Sequence, residues 1–113
     1  MQRRHRLSRS RDFDAVYRHG RSASTRYLVL YWFPRDEGDV RLGLAVPKDV
    51  GTAVVRNRIK RQLREAWRAR LERIPSGRDY VLKVRPGLAE AAESRGFDWL
   101  GERIEEVLGK AAA

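Results

Sequence analysis

Apolar residues recur along this chain with two different periods, and the alternation between them outlines a fold. Over residues 53–74, Val55, Ile59, Leu63, Ala66 and Leu71 return at helical spacing and form one drifting arc, with Trp67 at its edge. Thr52 is placed to cap this helix, and Pro75-Ser76-Gly77 to stop it after Ile74. A shorter helix is expected over residues 10–20. Ser10 is its N-cap, Asp12 and Asp14 lie in its first turn, and Gly20 is its stop. Phe13, Val16 and Tyr17 share one of its faces, which suits either a core stripe or an aromatic platform. A last amphipathic helix over about residues 98–110 presents Phe97, Leu100, Ile104, Val107 and Leu108, with a helical turn before it at 88–92.

Between the helices the period drops to two. Residues 26–34 put Tyr27, Val29, Tyr31 and Phe33 on one face and Leu28, Leu30 and Trp32 on the other. With both faces apolar, this strand is expected to be central and covered on both sides. Residues 35–39 read as a hairpin-like connection into a second strand, 40–46. There Val40, Leu42, Leu44 and Val46 point one way. A third strand, 79–85, sets Tyr80, Leu82 and Val84 against Val81, Lys83 and Arg85. The order helix, strand, strand, long helix, strand, helix predicts an α+β two-layer sandwich with one small sheet.

Composition adds a single domain and a partner. A chain of 113 residues fits one domain that buries roughly 60–70% of its unfolded surface. Residues 1–9 carry no periodicity and read as a flexible basic arm. There is no cysteine and no run of roughly 18 apolar residues, so a cytoplasmic protein is expected, without membrane attachment. The formal net charge is +10, which calls for a polyanion, nucleic acid before an acidic membrane. All but four of the 25 basic residues are arginine, whose planar fork suits phosphate, although a GC-rich genome would also favour arginine codons. The charge is uneven: residues 88–110 are rich in Glu and Asp, and that end is expected to face solvent.

The basic residues of the long helix converge on a line. Asn57, Arg61, Arg64 and Arg68 stack opposite the apolar arc, flanked by Arg58 and Lys60. Arg56 projects nearer the arc and must reach outward from the first turn. A solvated face normally mixes signs, and this ridge has only Glu65 beside it, so nucleic-acid contact is the stronger reading. A membrane helix is disfavoured because the apolar arc is needed for the core. The two histidines have no metal-ligand spacing, and no phosphate-cradling loop, nucleophile motif or carboxylate cluster is present. Any catalytic group is therefore expected on a partner.

Arg56-Asn57-Arg58-Ile59-Lys60-Arg61 followed by Arg64-Glu65 resembles the signature of the bacterial ribonuclease P protein component. Phe13, Tyr17 and Gly20, the aromatic strand 27–33, Gly43 to Gly51 and Asp79-Tyr80-Val81-Leu82 extend the resemblance over most of the chain. It implies a mixed sheet with a left-handed βαβ crossover, like the second domain of a small-subunit ribosomal protein. It implies a protein subunit of an endoribonuclease that removes the 5′ leader of precursor tRNA. The catalytic RNA subunit and precursor tRNA would be its partners, without a small-molecule substrate. Mg²⁺ would be held mainly by RNA and substrate, and none by the protein alone. By position, Arg56, Asn57, Arg58, Lys60, Arg61, Arg64 and Arg68 would bind the RNA subunit. Phe13, Tyr17, Tyr31 and Lys48 would line a leader cleft. Asp49 departs from the consecutive basic residues often found there. A non-catalytic structural RNA-binding protein, such as a ribosomal component, is the alternative.

Overall fold

A computed structural model of the chain describes residues 10–34 and 40–112, with side chains from residue 13 onward. Four helices pack on one four-stranded sheet, in the order α1 (Ser10–His19), β1 (Arg21–Ser24), β2 (Leu28–Pro34), β3 (Arg41–Ala45), α2 (Ala53–Arg68), β4 (Arg78–Val84), α3 (Leu88–Arg95) and α4 (Phe97–Ala112). The expected arm, residues 1–9, lies outside the described residues.

The sheet runs β1-β2-β4-β3. β2 pairs antiparallel with β1 and with β4, while β3 lies parallel to β4. β2 and β3 are therefore not neighbours, and the expected hairpin between them is replaced by a longer-range arrangement in which β4 inserts between the two. The connecting residues 35–39 lie outside the described residues. β3, α2 and β4 form a parallel βαβ unit, which needs a crossover segment of this length.

β2 is central, as its two apolar faces predict. Its even positions Leu28, Leu30 and Trp32 join Leu42, Tyr80, Leu82 and Val84 in the main core beneath α2, α3 and α4. Its odd positions Tyr31 and Phe33 join Val16, Val81, Phe13 and Ala45 in a small second core under α1. Tyr27 precedes β2 and escapes its alternation: it packs edge-on against Trp99 of the main core, ring centroids 5.1 Å apart. Register is fixed at the far end by Arg41 and Asp79, paired across β3 and β4. Arg41 donates from Nε and Nη2 to the two Asp79 oxygens at 2.8 and 2.7 Å. Asp79 is buried, and this bidentate partner is what makes its burial tolerable.

Helix boundaries shifted where tertiary contacts decide them. β1 was not anticipated: its sequence, Arg-Ser-Ala-Ser, is mostly exposed and carries no apolar alternation. α2 ends at Arg68 rather than Ile74, followed by a tighter turn over Leu71–Arg73. Arg70 breaks the helix by folding back, its Nη1 donating to the Ala66 carbonyl at 2.9 Å. That contact satisfies one of the carbonyls a helix end leaves open. Glu105 of α4 holds Arg70 at 3.3 Å and Arg73 at 2.9 Å. Gly101 leaves room for the Arg70 guanidinium, which a Cβ there would displace. Phe97, assigned to the buried face of the last helix, is 47% exposed, and Trp99 takes the inward place at 9%. The expected turn at 88–92 is the first part of the full helix α3.

Candidate nucleic-acid interface

α2 begins as its sequence dictates. Thr52 is extended, and its Oγ1 accepts from the Val55 amide at 3.3 Å. Ile59, Leu63, Ala66 and Trp67 are buried along one side. Trp67 is not at the margin of this arc but fully within the core, its ring 5.2 Å from that of Tyr80. The buried side rests against α4, so the opposite side is left to solvent. Asn57, Arg61 and Arg68 are exposed there, and Arg64 and Lys60 are half-buried along one flank. Arg58 is half-buried on the other flank. With Gln62 it borders an open hollow of about 280 Å³ against Ala89, Ala92, Glu93 and Phe97.

Not all of the ridge is equally available. Arg68 Nη2 lies 2.6 Å from Glu65 one turn back, an exposed pair worth little in free energy but enough to orient both groups. Arg56 is half-buried, its Nε donating back to the Gly51 carbonyl at 3.2 Å. Asn57, Arg58, Lys60 and Arg61, by contrast, make no ion pair among the described residues. The helix therefore presents the Arg58 and Arg61 guanidinium groups and the Lys60 ammonium with no ion-pair partner among the described residues.

The second surface lies on the other face of the sheet. Val16 of the first helix is fully buried, Phe13 is half-buried, and Tyr17 is 39% exposed. The aromatic stripe is thus core on one side and platform on the other. Tyr17 meets Phe13 at 6.4 Å and stands edge-on to Tyr31 at 4.8 Å. Burial first, and the neighbouring Tyr31 second, push the Tyr17 phenol above its ordinary value. It stays neutral around pH 7 and adds no negative charge to this surface.

Beyond Tyr31 no described helix covers the sheet. An open groove of about 490 Å³ runs there, lined by Ser24, Val29, Tyr31, Lys83, Arg85 and Pro86, with Pro47 and Asp49 on its far wall. Of the four predicted cleft residues, the structure brings Phe13, Tyr17 and Tyr31 into one aromatic strip and puts Tyr31 in the groove. Lys48 is exposed in the tight turn Lys48–Val50, between two groove-lining residues. Val29, Lys83 and Arg85 were not singled out as site residues. The signal was present: Lys83 and Arg85 are polar positions on one face of an otherwise apolar strand.

The turn Lys48–Val50 joins the two surfaces. Pro47 and Asp49 border the groove, and Gly51 anchors Arg56 at the start of the basic helix. Among the described residues no group of three or more His, Cys, Asp or Glu side chains could hold a metal ion. No described helix is long and apolar enough to cross a membrane.

A sequence model of the family described as Ribonuclease P matches residues 1–112. The ribonuclease P protein component of Bacillus cereus (strain B4264) is 41% identical over 91 residues, covering 80% of this chain and 79% of its own length. The fold is similar to that of the RNase P protein of Staphylococcus aureus, with a TM-score of 0.83 and 30% identity over 95% of this chain and 94% of that one. It is also similar to the RNase P protein from Thermotoga maritima, with a TM-score of 0.84 and 33% identity over 91% and 94% of the two chains.

Proposed function

The chain belongs to the bacterial ribonuclease P protein family, and from that premise we propose that its two surfaces hold two different RNAs. It is the protein subunit of the ribonuclease P ribonucleoprotein, an endoribonuclease of tRNA processing. The exposed side of α2 binds the catalytic RNA subunit. Asn57, Arg58, Lys60, Arg61 and Arg64 make the principal contacts, with Arg56 and Arg68 at the two ends. The groove beside α1 takes the single-stranded 5′ leader of precursor tRNA. The single observation that carries this reading is the pairing of a strongly basic helix with a separate aromatic groove, connected through residues 47–56.

The chemistry follows from the geometry. Arginine forks and the compact Lys60 ammonium neutralise phosphates, a contact that positions RNA without reading its sequence. Tyr31 in the groove and Tyr17 packed edge-on against it offer faces and edges on which unpaired bases stack, and Lys83 and Arg85 meet the backbone alongside. Any base can use such a platform, so the groove suits leaders of varied sequence. Mg²⁺ belongs to the RNA subunit and substrate in this reading. The protein's own residues hold and orient the leader strand while cleavage proceeds on the RNA.

The test separates the surfaces. Arg61→Ala with Arg64→Ala is expected to weaken assembly with a bacterial ribonuclease P RNA while leaving leader-dependent binding by the assembled enzyme intact. Phe13→Ala is expected to do the reverse, costing about 1–3 kcal/mol of leader-dependent precursor binding. Filter binding of both RNAs measures this, with circular dichroism confirming the fold. Equal loss of both functions in both variants would contradict two surfaces.

A further inference from the structure

A second arginine cluster lies around the end of the sheet from the groove. Arg26, in the β1–β2 turn, sets its guanidinium carbon 5.2 Å from the Tyr27 ring centroid. Arg103 and Arg95, from α4 and α3, stand 5.1 Å and 6.0 Å from the Trp99 centroid. The two rings meet edge-on at 5.1 Å. With Glu106 these residues enclose an open pocket of about 200 Å³. Sequence had assigned residues 88–110 to an acidic solvent face, yet that stretch supplies two of the three arginines.

An aromatic face attracts a guanidinium and fixes its plane, leaving the N–H edges to form a fork toward an anion. Arg26 and Arg95 are exposed and make no ion pair among the described residues. Arg103 has Glu102 and Glu106 near it, both at 3.9 Å, beyond hydrogen-bond distance. Its Nε is buried with no partner. Covering Trp99 would need one such side chain. Arg26 and Arg95 have no carboxylate partner among the described residues, and Arg103 shares Glu102 and Glu106 only at 3.9 Å, so the cluster keeps a net positive charge and suits an anion.

Arg85 links the cluster to the groove. Arg85 lines the groove, its amide donates to the Tyr27 carbonyl at 2.9 Å, and its Nη1 donates to the Thr25 carbonyl at 2.8 Å. A strand leaving the groove past Arg85 reaches Arg26 next. Resting on the leader reading above, we propose that Arg26, Arg95 and Arg103 form a second phosphate site. It holds leader nucleotides that extend beyond those in the groove. Sequence contributes nothing to recognition there, because the phosphodiester is the ligand.

The experiment uses holoenzyme reconstituted with a bacterial ribonuclease P RNA and precursor tRNAs whose leaders lengthen one nucleotide at a time. In Arg26→Gln with Arg95→Gln, both exposed, short leaders are expected to bind as before. The affinity gained by the longest leaders falls roughly tenfold, and its salt dependence becomes shallower by about one unit of slope. Arg26→Lys with Arg95→Lys, which keeps the charge, is expected to retain most of that gain. Equal loss at every leader length, loss of affinity for the RNA subunit, or no loss at all would overturn the second site. A length dependence that survives Arg26→Gln with Arg95→Gln but disappears in Lys83→Gln overturns this site and leaves the groove standing. No length dependence in the unaltered protein overturns both.

Discussion

Tyr80 shows what a single buried hydroxyl does to this core. It is 1% exposed, packed against Trp67, and its hydroxyl donates to the Pro75 carbonyl at 3.0 Å. Burial raises its phenol above the ordinary 10.0, while the charge and hydrogen bond of Arg78 pull partly the other way. The folded state therefore favours the protonated form. That contribution to stability is complete below about pH 10 and is lost as pH rises through the raised folded value. Urea unfolding between about pH 9 and about pH 11 is expected to show the unaltered protein losing stability relative to Tyr80→Phe, which has nothing to ionise. Parallel curves would contradict it. At this scale the sequence was legible in direction but not in depth. A helical wheel tells which way Trp67 and Phe97 point; whether each is covered depends on where α4 lies, and no local pattern contains that. Trp67 was read as marginal and is enclosed, whereas Phe97 was read as enclosed and is exposed.

Among the elements, α1 determines whether the aromatic platform exists. Gly20 ends it and turns the chain directly into β1, with the Gly20 amide donating to the Val16 carbonyl at 2.9 Å. A Cβ at Gly20 would overlap the carbonyl oxygens of Val16 and Trp32. Glycine thus lets the helix end rest on the backbone of β2, which brings Tyr17 onto Tyr31. Gly20→Ala is expected to lower stability by about 1–3 kcal/mol, as overpacking does. It should also weaken leader-dependent precursor binding while affinity for the RNA subunit holds, measured by thermal unfolding alongside the two binding assays. Weakened RNA-subunit binding of the same size would mean that the two surfaces are not separable. Elements with strong periodicity were all legible: α1, β2, β3, β4, the body of α2 and α4. β1 was not, because a short edge strand of Arg and Ser turns only the small Ala23 inward, too little to show as an apolar alternation. The end of α2 was missed because a long-range contact, from Arg70 to Glu105, decides it.

For the whole molecule, charge was legible in amount and only partly in place. The ridge on α2 was found because its basic residues are neighbours on one helix. The groove's Lys83 and Arg85, and the cluster of Arg26, Arg95 and Arg103, are assembled by the sheet from segments far apart in the chain. Strand order was equally hidden, since pairing partners at long separation leave no local trace. The uncompensated charge on α2 carries its own prediction. With about five to seven phosphates neutralised, the logarithm of RNA-subunit affinity should fall against the logarithm of salt with a slope of roughly −4 to −6. Titrations across salt concentrations measure it, and a slope near zero would remove α2 as the binding surface.

The sheet order has a consequence in time. β4 is the strand that both β2 and β3 need as a neighbour, yet it is the last of the four to be synthesised. At about 5–20 residues per second, some seconds pass between the first turn of α2 and the end of β4. The most basic helix of the chain therefore leaves the ribosome that much earlier than β4, while the sheet beneath it is unfinished. The newborn protein is thus briefly a bare polycation before it becomes a shaped one, beside the most concentrated RNA in its surroundings.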